Sequence, residues 1–335
     1  MTIHTALTKA FGLQYPIVLA PMNQIAGGRL AAAVSNAGGL GLVGGGYGDP
    51  EWLQRELTLV QGETDRPWGV GLITWHASRE VVDLALRYRP DAFLLSFGEA
   101  RLYAPSIKAA GCTLLCQVQD VEMAREAVAA GADFIVAQGS EAGGHGAAGH
   151  ATFPLVPAVV DAVAPIPVLA AGGIADGRGL AAALTLGSQG VMIGTRFAAA
   201  TESLMHEQAK AQIVTARAAD TARTQVFDII RELPWPEPYN GRAVRNRFFT
   251  RWHGRERELA AALETELPTY QRAVAQADFD TAVIFAGESV ELIDAVVSAA
   301  ELVQRIGAEA ETQLRRVVAL LTEPPEDQED TLVAR

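Results

Sequence analysis

One loop of the sequence concentrates groups that could move a proton. Residues Gln138-Gly-Ser-Glu-Ala-Gly-Gly-His-Gly-Ala-Ala-Gly-His150 hold one acid, Glu141, and two imidazoles, His145 and His150, among small residues. Histidine is the side chain suited to proton transfer near neutral pH. His145 stands between glycines, so its neighbours in sequence do not pack it. It is the candidate base, with His150 second and Glu141 read as an orienting or structural hydrogen-bond acceptor. Two further stretches suggest what lies beside that base. Val168-Leu-Ala-Ala-Gly-Gly-Ile-Ala-Asp-Gly-Arg-Gly179 and Gly190-Val-Met-Ile-Gly-Thr-Arg-Phe197 each run from apolar residues into glycines. Glycine lets the main chain approach an anion closely, and a following helix N-terminus offers free N–H groups. The pair therefore reads as a phosphate cradle.

Loops of this kind need a scaffold that brings them to one face. Eight apolar, strand-like runs recur along the chain: Pro16–Ala20, Leu40–Gly44, Trp68–Thr74, Ala92–Phe97, Thr113–Val118, Phe134–Gln138, Val168–Ala171 and Val191–Gly194. Most are apolar throughout, as strands buried on both faces should be. Helical periodicity fills the gaps between them, which predicts a parallel sheet with helical crossovers. Eight such units fit an α/β fold of the (β/α)8 TIM-barrel type, where the loops after strands 7 and 8 commonly hold phosphate. The barrel is expected over residues 1–197 and 286–322, closed by a last helix near Ser289–Ile306. Residues 198–285 read as a helical insertion after strand 8, a subdomain or lid. Within it Leu233–Arg257 carries Trp235, Tyr239, Phe248, Phe249 and Trp252 and is expected to border the entrance. Residues 323–335 read as a disordered acidic tail.

Other classes are disfavoured. The formal net charge is −12 across 335 residues, which argues against nucleic acid or an anionic membrane as partner. The arginines between 242 and 257 are a local exception, read as a solvated helix face or ion pairs within the insertion ahead of an anion site. No apolar run is long enough to span a bilayer, and no signal-peptide core opens the chain. Cys112 and Cys116, four apart on a strand, would lie about 13 Å apart, too far for a disulfide. They read as core thiols of a cytoplasmic protein. No metal-ligand spacing is present. Gly39-Leu-Gly-Leu-Val-Gly44 spells a dinucleotide fingerprint, but the motif is itself the strand and a helix precedes it, the reverse of the required context. Gly44-Gly-Gly-Tyr-Gly48 is instead expected to let the chain pass close to a flat ligand.

Taken together, Ala20-Pro-Met22, Ser35-Asn-Ala-Gly-Gly-Leu-Gly41, Gln138-Gly-x-Glu-Ala-Gly-Gly-His145, Ala171-Gly-Gly-Ile-Ala-Asp-Gly-Arg-Gly179 and Gly194-Thr-Arg-Phe197 resemble the nitronate monooxygenases, once called 2-nitropropane dioxygenases. The resemblance covers roughly residues 10–200, with an echo at Phe285-Ala-Gly-Glu-Ser289. It implies an FMN-dependent barrel. Pro21, Met22 and Asn23 would lie beside the flavin ring. Gln138 would hydrogen-bond the cofactor, and Gly143 and Gly144 would pass close to it. Gly172 and Gly173, with Met192, Ile193, Gly194 and Thr195, would cradle the phosphate, and His145 would be the catalytic base. Many relatives carry Asn where this chain has Gly71; His76 is a candidate to fill that space.

The resemblance also implies the reaction. His145 takes the acidic C–H proton of a nitroalkane, and the resulting nitronate is oxidised with O2 to a carbonyl compound and nitrite. Phe97, Trp75, Phe227 and Tyr239 are candidate pocket walls. Partners are then a small-molecule substrate and O2; oligomeric state is left open. The frame is shared with NAD(P)H-dependent flavin reductases acting on quinones or enoyl thioesters, which stand as the alternative. Nucleotide-oxidising barrels need a nucleophilic Cys on the active-site loop, and residues 139–150 have none.

Overall fold

The computed structural model describes residues 3–321. The tail at 323–335 lies outside them. Eleven strands are β1 Ile17–Leu19, β2 Gly41–Gly46, β3 Trp68–Ile73, β4 Ala92–Ser96, β5 Thr113–Val118, β6 Phe134–Gln138, β7 Gly144–Gly146, β8 Val168–Ala171, β9 Val191–Ile193, β10 Thr221–Thr224 and β11 Asn240–Val244. Eight of them form one parallel sheet in the order β1-β9-β8-β6-β5-β4-β3-β2. The two ends meet through a parallel bridge between Val18 and Leu40. There Leu19 N–H donates to the Leu40 carbonyl at 2.9 Å, and Leu40 N–H to that of Ile17 at 2.9 Å. The sheet is thus a barrel, and all eight runs read from the sequence are its staves.

Alternation along the staves sorts side chains into two cores. Val18, Leu42, Leu94, Val136, Leu169 and Met192 fill the interior; Ile17, Val43, Phe93, Leu95 and Ile135 face the surrounding helices. A short helix, Ala6–Phe11, adds Leu7 and Phe11 to the interior cluster. Crossover helices start where the chain supplies a cap. Asp49, Ser78, Asp120 and Asp176 each accept from backbone N–H groups of the turn they precede, satisfying donors that a helix cannot pair internally. The last helix is Ala299–Val318, capped by Ser298. It begins ten residues later than the sequence suggested, because Glu288–Leu292 closes instead into a 3-10 turn. It packs on Gly177–Thr185 and Gly28–Asn36.

The stretch from 198 to 285 is not purely helical. Alongside Glu207–Thr215, Arg247–Trp252 and Leu263–Ala275 it holds β10 and β11. These form an antiparallel three-stranded sheet whose third member is β7, from the loop after β6. Only three residues of that loop pair, too few for an alternating pattern to show. The arginines after 242 do pair locally: Arg242 with Glu288, Arg247 with Asp278, Arg251 with Glu266 and Arg255 with Glu258.

Candidate active site

β7 fixes the candidate base. His145 pairs in register with Gly241 of β11. Arg223 of β10 braces the same loop, donating to the carbonyls of Ser140, Gly146 and Asn240 at 3.0 Å each. The helix Val226–Ile230, which follows β10, then carries Asp228 to the imidazole. His145 Nε2 lies 2.9 and 3.0 Å from the two carboxylate oxygens, with side chains only 8% and 6% exposed. An ionised carboxylate can only accept, so this contact assigns the proton to Nε2 and the lone pair to Nδ1. Arg231 donates to the Oδ1 oxygen of the same carboxylate at 2.9 Å. Trp235 stacks on the imidazole at 3.6 Å and 6°, and donates from Nε1 to the Tyr47 hydroxyl at 2.9 Å. Burial pushes the His145 pKa below the ordinary 6.5; Asp228 opposes that, while Arg231 and Arg223 add to it.

His145 faces a cavity of about 550 Å³ at the carboxyl ends of the staves. Pro21, Met22 and Asn23 enter it from β1, and Gln138, Gly143 and Gly144 from the β6–β7 loop. Gly172, Gly173, Met192, Gly194 and Thr195 line its far side. Ile193 does not reach it. Alternation on β9 turns that side chain to the helix-facing core, and it contributes only a carbonyl that accepts from Ala20 N–H at 2.9 Å. Gln138 is largely committed. Its Oε1 accepts from Gln117 and Gln119, and its Nε2 donates to the His145 carbonyl, leaving one N–H for a ligand.

Glycines at the site do two jobs. Gly172 and Gly173 have φ of +102° and +72°, a conformation that disfavours a side chain. A Cβ at Gly144 would meet nothing within 4 Å, and one at Gly194 would meet only Ala20 and Met22 at 3.6 Å, so both leave cavity space open. Others serve the chain itself. A Cβ at Gly44 would sit 2.1 Å from the Met22 carbonyl oxygen, and one at Gly46 2.0 Å from Asn23 Oδ1. What passes close to Gly44 and Gly46 is therefore the Pro21–Asn23 turn, and of these glycines only Gly46 reaches the cavity wall. Gly71 has the same cause: a Cβ there would lie 2.3 Å from Pro21 Cγ, so Asn cannot fit. Pro21 fills that space and His76 does not; the His76 ring hydrogen-bonds the Tyr47 carbonyl at 2.7 Å. Gly143 crosses Gly287, where a Cβ would meet the Gly287 nitrogen at 2.4 Å. That crossing explains the echo at residues 285–289.

Two further expectations change. The N-terminus of Gly177–Thr185 is not free, since Asp176 accepts from Arg178 and Gly179 N–H and Glu309 from Gly177 N–H. A phosphate would therefore rest on Gly172, Gly173, Gly194 and Thr195, whose hydroxyl oxygen already accepts from Gly287 N–H at 3.0 Å. Among the proposed walls, Phe97 lines the cavity. Trp75 and Tyr239 pack in the aromatic cluster around Trp235, and Phe227 is fully buried against Phe248. Glu141 is structural, accepting from the Thr152 N–H and hydroxyl; His150 is exposed and offers its carbonyl to Ser140. Asp228 and Arg231 were missed. Their signal was a lone acid in the apolar run Val226-Phe-Asp-Ile-Ile230, since a buried charge must find a partner.

The parallel barrel, with glycine loops and a buried imidazole at its mouth, is a frame shared with flavin-dependent oxidoreductases. The chain belongs to the nitronate monooxygenase family, whose sequence model matches residues 4–89 and 74–309. It is 34% identical to a nitronate monooxygenase of Neurospora crassa, over 90% of this chain and 91% of that protein. Among solved structures, FabK from Thermotoga maritima aligns with a TM-score of 0.85 at 32% identity, covering 96% of this chain and all of that one. A nitroalkane oxidase from Streptomyces ansochromogenes aligns at 0.80 and 28%, covering 94% of this chain and all of that one. Among the described residues no helix is long and apolar enough to cross a membrane.

Proposed function

We propose that the protein is an FMN-dependent nitronate monooxygenase that takes nitroalkanes or nitronates and O2 to carbonyl compounds and nitrite. The observation that carries this reading is the His145–Asp228 pair at the rim of a largely apolar cavity. Asp228 holds the ring and keeps the Nδ1 lone pair available. Asn23, Gln138 and the Gly143–Gly144 backbone hold the flavin ring, and Gly172, Gly173, Gly194 and Thr195 hold one phosphate. Arg231 is the only Lys, Arg, Asp or Glu on the cavity wall among the described residues. It already serves Asp228, which favours FMN over a diphosphate-bearing flavin. Bound flavin supplies the electron chemistry. His145 contributes the proton transfer, and the aromatic cluster of Tyr47, Phe97 and Trp235 keeps water from the reacting carbon. The segment 198–285 acts as the lid. Buried, unpaired Cys112 and Cys116 accord with a cytoplasmic protein.

A base is needed only while the substrate keeps its proton. His145→Asn should lower turnover of neutral nitroalkanes by roughly 10²–10⁴-fold and leave oxidation of pre-formed nitronates nearly intact, with flavin content unchanged. Equal loss on both forms would make His145 a binding group. The likeness to FabK keeps the flavin-reductase reading in play. Anaerobic mixing with NADH separates the two: bleaching of the flavin at a catalytic rate would favour the reductase.

A further inference from the structure

Removal of a proton from carbon by His145 leaves a charge that needs a partner. The C–H electron pair runs into the nitro group, and the charge settles on its oxygens. A donor whose hold strengthens as that charge grows accelerates the step. Three donors on the cavity wall are engaged within the protein. Ser96 donates to the Leu72 carbonyl at 3.3 Å, Gln117 to Gln138 Oε1 at 3.2 Å, and Arg231 to Asp228 and the Phe227 carbonyl. Tyr47 is different. It follows β2, is half-buried and lines the same cavity. Trp235, whose ring covers one face of the His145 imidazole at 3.6 Å, donates from Nε1 to the Tyr47 hydroxyl oxygen at 2.9 Å. An indole N–H can only donate, so the phenol oxygen accepts there and its own O–H is directed elsewhere. Edge-on contacts with Trp75, His76 and Trp235 hold the ring before any substrate arrives. Burial lifts the hydroxyl above the ordinary pKa of 10 against the opposing charge of Arg231, so it keeps its proton at neutral pH.

We propose that Tyr47 is a second catalytic residue, whose O–H donates to a nitro oxygen of the substrate while His145 removes the carbon-bound proton. The C–H bond breaks and its proton goes to His145 Nδ1. The electron pair becomes the C=N bond of the nitronate, with the negative charge on the nitro oxygens. No proton leaves Tyr47; its hydrogen bond shortens as the charge develops. The assignment rests on the proposed function for the identity of the substrate, but a hydroxyl that binds an anion beside His145 is a property of the site itself.

The test uses the flavin-loaded enzyme and a probe that cannot react. Nitrate is planar and anionic like a nitronate, and its binding is read from the flavin spectrum. Tyr47→Phe keeps the ring and removes the hydroxyl. It should weaken nitrate roughly tenfold, the scale of one hydrogen bond to a charged group, with flavin content near wild type. Nitromethane, neutral and unable to lose its proton in the His145→Asn protein, should be weakened less by the same change. In turnover, Tyr47→Phe should lower kcat for a neutral nitroalkane by roughly 10²-fold with KM little altered. The acid limb of the pH profile should stay in place, since the hydroxyl acts on the substrate and not through His145. Should Tyr47→Phe lose its flavin, Trp235→Phe, which frees the hydroxyl from its anchor, should also weaken nitrate and carries the same test. Nitrate affinity unchanged in the variant that keeps its flavin, or nitrate and nitromethane weakened alike, overturns the assignment whatever the turnover. Weakened nitrate binding in an enzyme that oxidises neither nitroalkanes nor nitronates leaves the anion-binding hydroxyl standing and removes the proposed function.

Discussion

At His145, burial and Asp228 pull in opposite directions, and the sign of each can be tested. Burial favours the neutral ring, so the acid limb of kcat/KM for a neutral nitroalkane should lie below the ordinary histidine value of 6.5. Activity rises with pH through that limb because only the unprotonated ring accepts the proton. Asp228→Asn removes a group that raises the pKa, so the limb should move further to acid. The plateau should also fall, by up to about 10⁴-fold where Asn selects the wrong tautomer. Arg231→Met removes a group that lowers the pKa and should move the limb the other way. Two substitutions three residues apart with opposite shifts would show that the charges act through His145; parallel shifts would assign both to packing. The loop with His145 was legible because an imidazole among glycines has little structural work to do. Asp228 was legible only as an oddity, since 83 residues separate it from its partner.

Glycines at the mouth act through two different elements, and substitutions should separate them. Gly44→Ala forces a Cβ into the Met22 carbonyl. It should displace the Pro21–Asn23 turn, destabilise the fold by about 1–3 kcal/mol as overpacking does, and weaken flavin binding together with stability. Gly194→Ala meets only ordinary contacts, and its φ of −105° suits alanine. Its thermal unfolding should match wild type, while flavin affinity drops roughly tenfold, the scale of one charge-assisted hydrogen bond. Unchanged affinity would remove Gly194 from the phosphate cradle. The lid element makes a third case. Trp235 covers one face of the His145 ring, so deleting residues 234–238 should depress turnover more than flavin retention. Equal loss of both would make the segment a clamp on the barrel.

Across the whole molecule, the last helix ties the end of the described chain to the helix that follows Gly172 and Gly173. Gly307 packs so closely on Tyr15 that a Cβ would meet its ring at 2.1 Å, and Glu309 caps the helix that begins at Gly177. Gly307→Val should therefore lower the unfolding temperature, at a cost of about 1–3 kcal/mol, while the folded fraction keeps its ratio of nitronate to nitroalkane activity. A change in that ratio would mean that the helix reaches the site.

The sequence by itself determined the staves, their order and the loops that face the mouth. Apolar runs of strand length, separated by capped amphipathic segments, carry that information locally. Sequence also singled out His145 and the glycines at 172–173 and 194. Tertiary structure decided what those residues touch. Whether a glycine admits a ligand or its own chain depends on a backbone that arrives from elsewhere, as Met22 does at Gly44. Whether a helix N-terminus is free depends on Glu309, which comes from the last helix, 132 residues further along the chain. β7 exists because β11 lies beside it, and a three-residue strand has no periodicity of its own. The state of the imidazole was likewise settled at a distance, by a carboxylate whose partner could be named only once the fold had closed.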